Sequence, residues 1–211
     1  MMMQHIQKGS TSVHPFYWVN EPQSYTYDSN KILTIQTEPQ TDFWQKTSYG
    51  FQRDNGHSFL TKVDHDFTLT AYFEFTPKMT YDQCGLLVRL DEENWIKVST
   101  EFENAEFSRM GSVVTNMGYS DWASTDISSN MTAIFYQIRK RGQDFLMEYS
   151  YDGQIWSQMR IAHLHIDAKV LSVGVYACSP GDSSFTCRIS QITIGENKQS
   201  FHSEGENNDE N

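Results

Sequence analysis

No stretch of this sequence is apolar for long enough to cross a bilayer as a helix, which takes about 20 such residues. Basic charge is scarce too: Lys and Arg number 16 against 27 Asp and Glu, for a formal net charge of -11. Binding to a phosphate backbone rests on clustered Lys and Arg, so neither nucleic acid nor a membrane is an expected partner. Cysteine is sparse and odd in number, with Cys84, Cys178 and Cys187 in a chain large enough to fold without disulfide staples. The opening Met1-Met2-Met3-Gln4-His5-Ile6-Gln7-Lys8 lacks the apolar centre of a secretory signal. Together these features predict a reducing, cytoplasmic location, where the sequon Asn130-Met131-Thr132 would meet no glycosylation machinery. A phosphate-cradling glycine loop and a dinucleotide fingerprint are both absent, so no cofactor is expected.

What is present is aromatic and strand-forming. Phe, Trp and Tyr make up 14% of the 211 residues, and Thr, Tyr, Phe and Val recur in short alternating runs. The organising stretch runs over residues 81–122. With 83–90 and 94–102 as strands joined by Asp91-Glu92-Glu93, Val88 lies opposite Ile96, Leu86 opposite Val98 and Cys84 opposite Thr100. The other face then carries Arg89 opposite Trp95, Leu87 opposite Lys97, Gly85 opposite Ser99 and Gln83 opposite Glu101. A slip of one residue would bury these charges, so the pattern fixes the register.

Elsewhere the clearest strand is 66–75, with Phe67, Leu69, Ala71, Phe73 and Phe75 on one face. Strands are also predicted over 31–37, 112–115, 132–140, 144–150, 169–178 and 184–194, the last with a bulge before Ile192. Asp54-Asn55-Gly56 and Arg141-Gly142-Gln143 mark turns, and the Ser- and Asp-rich segment 118–130 reads as a long loop. Roughly ten strands and no helix predict an all-β fold, a two-sheet antiparallel sandwich. Residues 1–14 are expected to be an extension, 15–195 one domain, and 196–211 an acidic, disordered tail.

Several motifs occur in a telling order: Thr41-Asp42-Phe43-Trp44 with Tyr49-Gly50; Tyr81-Asp82-Gln83 with Gly85-Leu86-Leu87-Val88-Arg89; Trp95-Ile96-Lys97 with Glu101; Val113-Val114-Thr115 with Ser120-Asp121-Trp122; and Ala177-Cys178-Ser179-Pro180. Over roughly 15–195 the chain resembles the uncharacterised family of concanavalin A-like lectin/glucanase β-sandwiches that includes the yeast regulator of enolase. That resemblance implies a jelly roll with a concave face and brings no established catalytic residues. The yeast relative further suggests a regulatory role in carbohydrate metabolism, with a metabolic enzyme as partner.

Sugars present apolar C–H faces ringed by hydroxyls, and their sites combine aromatic platforms with fixed polar groups. Asp42, Trp44, Gln83, Arg89, Trp95, Lys97, Glu101, Asp121 and Trp122 form such a set, against the alternative that the tryptophans fill gaps and the charges pair at the surface. Lys97 and Glu101 are expected on an open face where they matter little to stability. Glycoside hydrolysis needs two placed carboxylates; Glu101 and Glu103 are the candidates, with Asn104-Ala105 as a turn directing Glu106 away. His163-Leu164-His165 supplies two imidazoles on one face but no third metal ligand, Asp54-Asn55-Gly56 reads as a turn rather than a Ca²⁺ loop, and Cys178 has no adjacent histidine to activate it. The expectation is a non-catalytic domain binding a carbohydrate, a carbohydrate-derived small molecule or a protein partner, with a glycoside-active enzyme as the alternative.

Overall fold

In the computed structural model, which describes residues 14–198 and 200–201, the alternation along 66–75 becomes a ten-residue strand, β7 (Phe67–Thr76). Phe67, Leu69, Ala71, Phe73 and Phe75 are buried, and the four residues between them are half-exposed. Pro77, which has no amide hydrogen to donate, follows directly after it.

Numbered along the chain, sixteen strands among the described residues form two seven-stranded sheets and a small hairpin. The first sheet runs β1 (Tyr17–Val19), β6 (His57–Val63), β15 (Leu171–Cys178), β8 (Gln83–Arg89), β9 (Trp95–Phe102), β10 (Phe107–Asn116) and β11 (Tyr119–Ser128). The second runs β14 (Ser157–His163), β13 (Asp144–Ser150), β12 (Ala133–Arg141), β7, β16 (Thr186–Glu196), β3 (Leu33–Gln36) and β2 (Ser24–Tyr27). The hairpin pairs β4 (Phe43–Gln45) with β5 (Gln52–Asp54). Every strand pair is antiparallel, and the inner faces enclose one core that includes Phe73, Leu86, Val98, Ile134, Val175 and Ile189. The fold is an all-β, two-sheet antiparallel jelly-roll sandwich. Among the described residues no helix is long and apolar enough to cross a membrane.

The β8–β9 register matches the one read from the sequence pair by pair, from Gln83↔Glu101 to Arg89↔Trp95. The bulge in β16 is also present: the pairing with β7 shifts between Ser190 and Thr193, where Gln191 has φ 53°. Gly142, at φ 61°, closes the β12–β13 hairpin in a conformation that favours glycine. All three cysteines are buried and free.

Two sequence expectations are corrected. The segment 118–130 is mostly the ten-residue edge strand β11, paired along its whole length with β10, which itself begins at Phe107. Both central residues of the connecting turn, Met117 (φ 49°) and Gly118 (φ 76°), adopt the positive φ of a twisted two-residue hairpin turn, and Met disguises that signal. An edge strand exposed along most of its length has no apolar face to betray it. β6 is absent from the strands predicted above because it carries no clean alternation: both its faces are covered. The second correction is to the first residues of the expected tail: Glu196 ends β16, and the Asn197 amide donates to Asp66 O at 3.0 Å. Residues 199 and 202–211 of the predicted tail, and 1–13 of the predicted extension, lie outside the described residues.

Candidate functional site

The outer face of the first sheet would be solvent-exposed in a bare sandwich, but here Phe43 and its neighbours lie across part of it. Phe43, Leu60, Leu87, Trp95, Val113, Tyr176 and Cys178 form a second small core there. Phe43 meets Trp95 at a centroid distance of 6.0 Å and Tyr176 edge-on at 5.8 Å. The Gln45 amide, donating to Ser120 Oγ at 2.9 Å, ties β4 to β11. Beside this cover the sheet stays open as a cleft of about 590 Å³.

Register assembles its floor. Gln83 pairs with Glu101, Glu101 with Arg109, Lys97 with Val113, and Val113 with Trp122, so side chains from β8 to β11 line up on one face. Lys97 is only 3% exposed. Its Nζ donates to Phe43 O and Gln83 Oε1, each at 2.9 Å, and lies 3.7 Å from Asp42 Oδ1. Gln83 Oε1 also accepts the Tyr176 hydroxyl at 2.9 Å, while Gln83 Nε2 donates to Glu101 Oε2 at 2.8 Å. Next to it Arg109 Nε donates to Glu103 at 2.7 Å, and the guanidinium sits 5.7 Å from the centre of the Trp122 ring. Burial pushes the Glu101 carboxyl up to about 7; Lys97 opposes the shift, and Asp42 and Glu103 add to it.

The walls are aromatic. Trp44, Tyr49, Phe51, Tyr81 and Trp122 line the cleft with Pro180. Lys46, Ser48 and Gly50 all have positive φ (56°, 69° and 64°), a tight turn that presents Tyr49 with 76% of its surface exposed. Tyr81 itself has φ 77°, a region that costs an L-residue with a Cβ roughly 1–2 kcal/mol. It is nevertheless half exposed and belongs to neither core. Backbone strain at a residue displayed in a cleft points to use of that residue.

Of the residues singled out from sequence, Asp42, Trp44, Gln83, Lys97, Glu101 and Trp122 line the cleft, as does Glu103. Three do not. Trp95 is fully buried in the small core under Phe43, its indole donating to Glu92 O at 3.2 Å, so it cannot meet a ligand. Arg89 makes a bidentate pair with Asp54 at 2.5 and 2.6 Å. Asp121 lies on the opposite side of β11, paired with Arg160 at 2.7 Å. The expectation that Lys97 stands free on an open face is also corrected: the 42–45 segment folds over that face and supplies the ammonium with acceptors. Sequence reading missed Tyr49, Phe51, Tyr81, Arg109, Val113 and Pro180. The aromatic and turn-forming Tyr49-Gly50-Phe51 was the available signal for two of them, whereas Arg109 was hidden by the late predicted start of β10.

The remaining candidates fall outside the cleft. His163 ends β14 with Nδ1 2.6 Å from Asp144 Oδ1, and His165 lies beyond the strand with its ring 5.6 Å away. Among the described residues no group of three or more His, Cys, Asp or Glu side chains could hold a metal ion. Asn104 Oδ1 caps the β9–β10 turn by accepting the Glu106 and Phe107 amides, which leaves Glu106 exposed and Glu103 in the cleft.

Residues 18–197 match the family described as Protein of unknown function (DUF1349). The chain is 30% identical over 189 residues to Regulation of enolase protein 1 of Saccharomyces cerevisiae, spanning 90% of this chain and 93% of that protein. Its fold is similar to that of a functionally unknown protein from Saccharomyces cerevisiae, with TM-score 0.81 and 27% identity over 86% of this chain and 96% of the other. It is also similar in fold to the carbohydrate binding module CBM66 from Bacillus subtilis, with TM-score 0.55 and 12% identity over 88% and 98% of the two chains.

Proposed function

We propose, from the premise that this chain belongs to the family described as Protein of unknown function (DUF1349), that it is a non-catalytic domain whose cleft binds a carbohydrate or carbohydrate-derived ligand. One observation carries this reading. Of the eight most exposed aromatic side chains among the described residues, Tyr25, Tyr27, Tyr119 and Tyr151 lie elsewhere, while Tyr49, Phe51, Tyr81 and Trp122 gather round a single polar floor. Flat apolar walls over hydrogen-bonding groups match the C–H faces and hydroxyls of a sugar ring. A fold shared with a carbohydrate binding module agrees with this, though fold alone carries no function. The name of the relative, Regulation of enolase protein 1, supports a regulatory role with a metabolic enzyme as partner; a part in carbohydrate metabolism and a cytoplasmic location belong to the same proposal.

A second reading is favoured by Glu101. A carboxyl with its pKa near 7 suits a general acid at neutral pH, and Glu103 beside it is ion-paired with Arg109. This would be glycoside chemistry. A glycan array run in parallel with a chromogenic glycoside panel separates the two. The expected result is glycan retention, weakened in Trp122→Ala, without release of chromophore. Turnover lost in Glu101→Gln would establish the enzyme instead, and no retention at all would remove the carbohydrate reading.

A further inference from the structure

The cleft holds five charged side chains, and their pairing decides what charge a ligand can bring. Three are carboxylates, Asp42, Glu101 and Glu103, and two are cations, Lys97 and Arg109. Each cation already has a carboxylate partner. The Lys97 ammonium is sealed from solvent, donates to Phe43 O and Gln83 Oε1, and lies in ion-pair range of Asp42. Arg109 directs Nε at Glu103 and one terminal nitrogen at Asp126, 3.4 Å away. Arg53, on the adjacent β5, does not line the cleft; its guanidinium stacks on Phe51 at 5.1 Å and donates to Pro180 O at 3.3 Å.

An anionic group entering this site would leave water for a floor whose positive charges are already matched or outnumbered by carboxylates. A buried charge without a partner is among the most unfavourable arrangements in a protein. Ligand hydroxyls meet the opposite situation. Carboxylates are acceptor-only groups when ionised, and hydrogen bonds to them are the stronger, charge-assisted kind. Glu101 commits Oε2 to Gln83, and its carboxylate faces the cleft between the aromatic walls.

We infer that the cleft selects uncharged, hydroxyl-rich glycans and excludes acidic and phosphorylated sugars. This rests on the carbohydrate reading proposed above and narrows it: a phosphorylated sugar or a uronate is the wrong chemical class for this floor.

A glycan array carrying neutral, uronate-containing, sulfated and phosphorylated glycans tests the inference on the full chain. The wild-type protein should retain neutral glycans and bind the C6-oxidised counterpart of a retained glycan at least tenfold more weakly, about 1.4 kcal/mol. In Glu103→Gln, where Arg109 loses the nearer of its two carboxylates and keeps only Asp126 at 3.4 Å, that gap should narrow. Glu101→Gln removes a second floor carboxylate with the same shape and serves if the first variant fails to fold, provided the array is run above pH 7, where Glu101 is ionised. Acidic glycans bound as tightly as neutral ones by the wild type would overturn the inference and leave the carbohydrate reading standing. A gap unchanged in a folded variant would overturn it by removing charge as the cause. Binding of no glycan would remove both readings together.

Discussion

Lys97 Nζ donates to Gln83 Oε1 at 2.9 Å, across the paired strands β8 and β9. The same oxygen accepts the Tyr176 hydroxyl, and the amide nitrogen of Gln83 donates to Glu101. A buried tyrosine on β15 is thus linked through one glutamine to the carboxylate on the cleft floor. The groups that orient a ligand-facing side chain are therefore part of the fold, and stability and binding cannot be tuned separately on this floor.

The first consequence concerns Lys97→Ala. Removing one partner of a buried ion pair typically costs about 3–5 kcal/mol, because the remaining groups stay buried without compensation. Here Asp42 loses its cation, and Phe43 O and Gln83 Oε1 each lose a donor. Urea unfolding of the variant should show a loss of that size. A loss below about 1 kcal/mol, the worth of an exposed pair, would mean that water reaches the ammonium and the cover by the 42–45 segment is loose.

Glu101→Gln should act through pH. Burial lifts the carboxyl from an ordinary 4.5 to about 7 in the folded chain. Between those values the unfolded chain has released its proton while the folded chain still holds one, so the unfolded state binds fewer protons and stability falls as pH rises. Below 4.5 both states are protonated, and above 7 both are ionised with the penalty fully present. The variant has no such penalty and can still accept from Gln83. Its melting temperature relative to wild type should climb through this window and stay level on either side. Parallel melting curves whose difference does not change with pH would show that the carboxyl is solvated.

How legible this was in the sequence depended on whether burial left a period. β7 and the β8–β9 hairpin have one face in the main core, and their register followed from alternation alone. β6 is buried on both faces and β11 is exposed along most of its length, so neither carries a contrast to read. The same physics divides the site. Alternation placed Gln83, Lys97 and Glu101 together, but it could not show that Phe43 would close over Trp95 and Lys97, because that contact joins segments about 50 residues apart in the chain. Tyr81 sits in a turn, where side-chain direction follows from backbone conformation rather than from a repeat.

In the main core, Phe73→Ala should destabilise by about 3–5 kcal/mol. Phe73 is fully buried, pairs with Ile134 and Ile189 on its two neighbouring strands, and meets the Tyr136 ring at 5.8 Å. Chemical denaturation measures the loss. A variant of normal stability would mean that neighbouring side chains collapse into the vacated space.

Tyr81 offers the sharpest separation of stability from binding. Its ring is half exposed and packs into neither core, while its backbone is held at φ 77° by bonds that do not involve the side chain: the Tyr81 amide donates to Phe102 O at 2.7 Å, and Tyr81 O accepts Gln83 Nε2 at 3.2 Å. Tyr81→Gly keeps both bonds and removes the Cβ that makes this conformation unfavourable, a relief of roughly 1–2 kcal/mol set against the extra freedom glycine gives the unfolded chain, roughly 0.5–1 kcal/mol. Tyr81→Ala loses the same ring but keeps the strain. The glycine variant should therefore be at least as stable as wild type and more stable than the alanine variant, while both lose affinity for any glycan the wild type retains. Thermal melts and array binding of the three proteins side by side decide it. If the glycine variant binds as well as wild type, Tyr81 is not a platform in the cleft; if it is clearly less stable, the ring is packing against the protein and not waiting for a ligand.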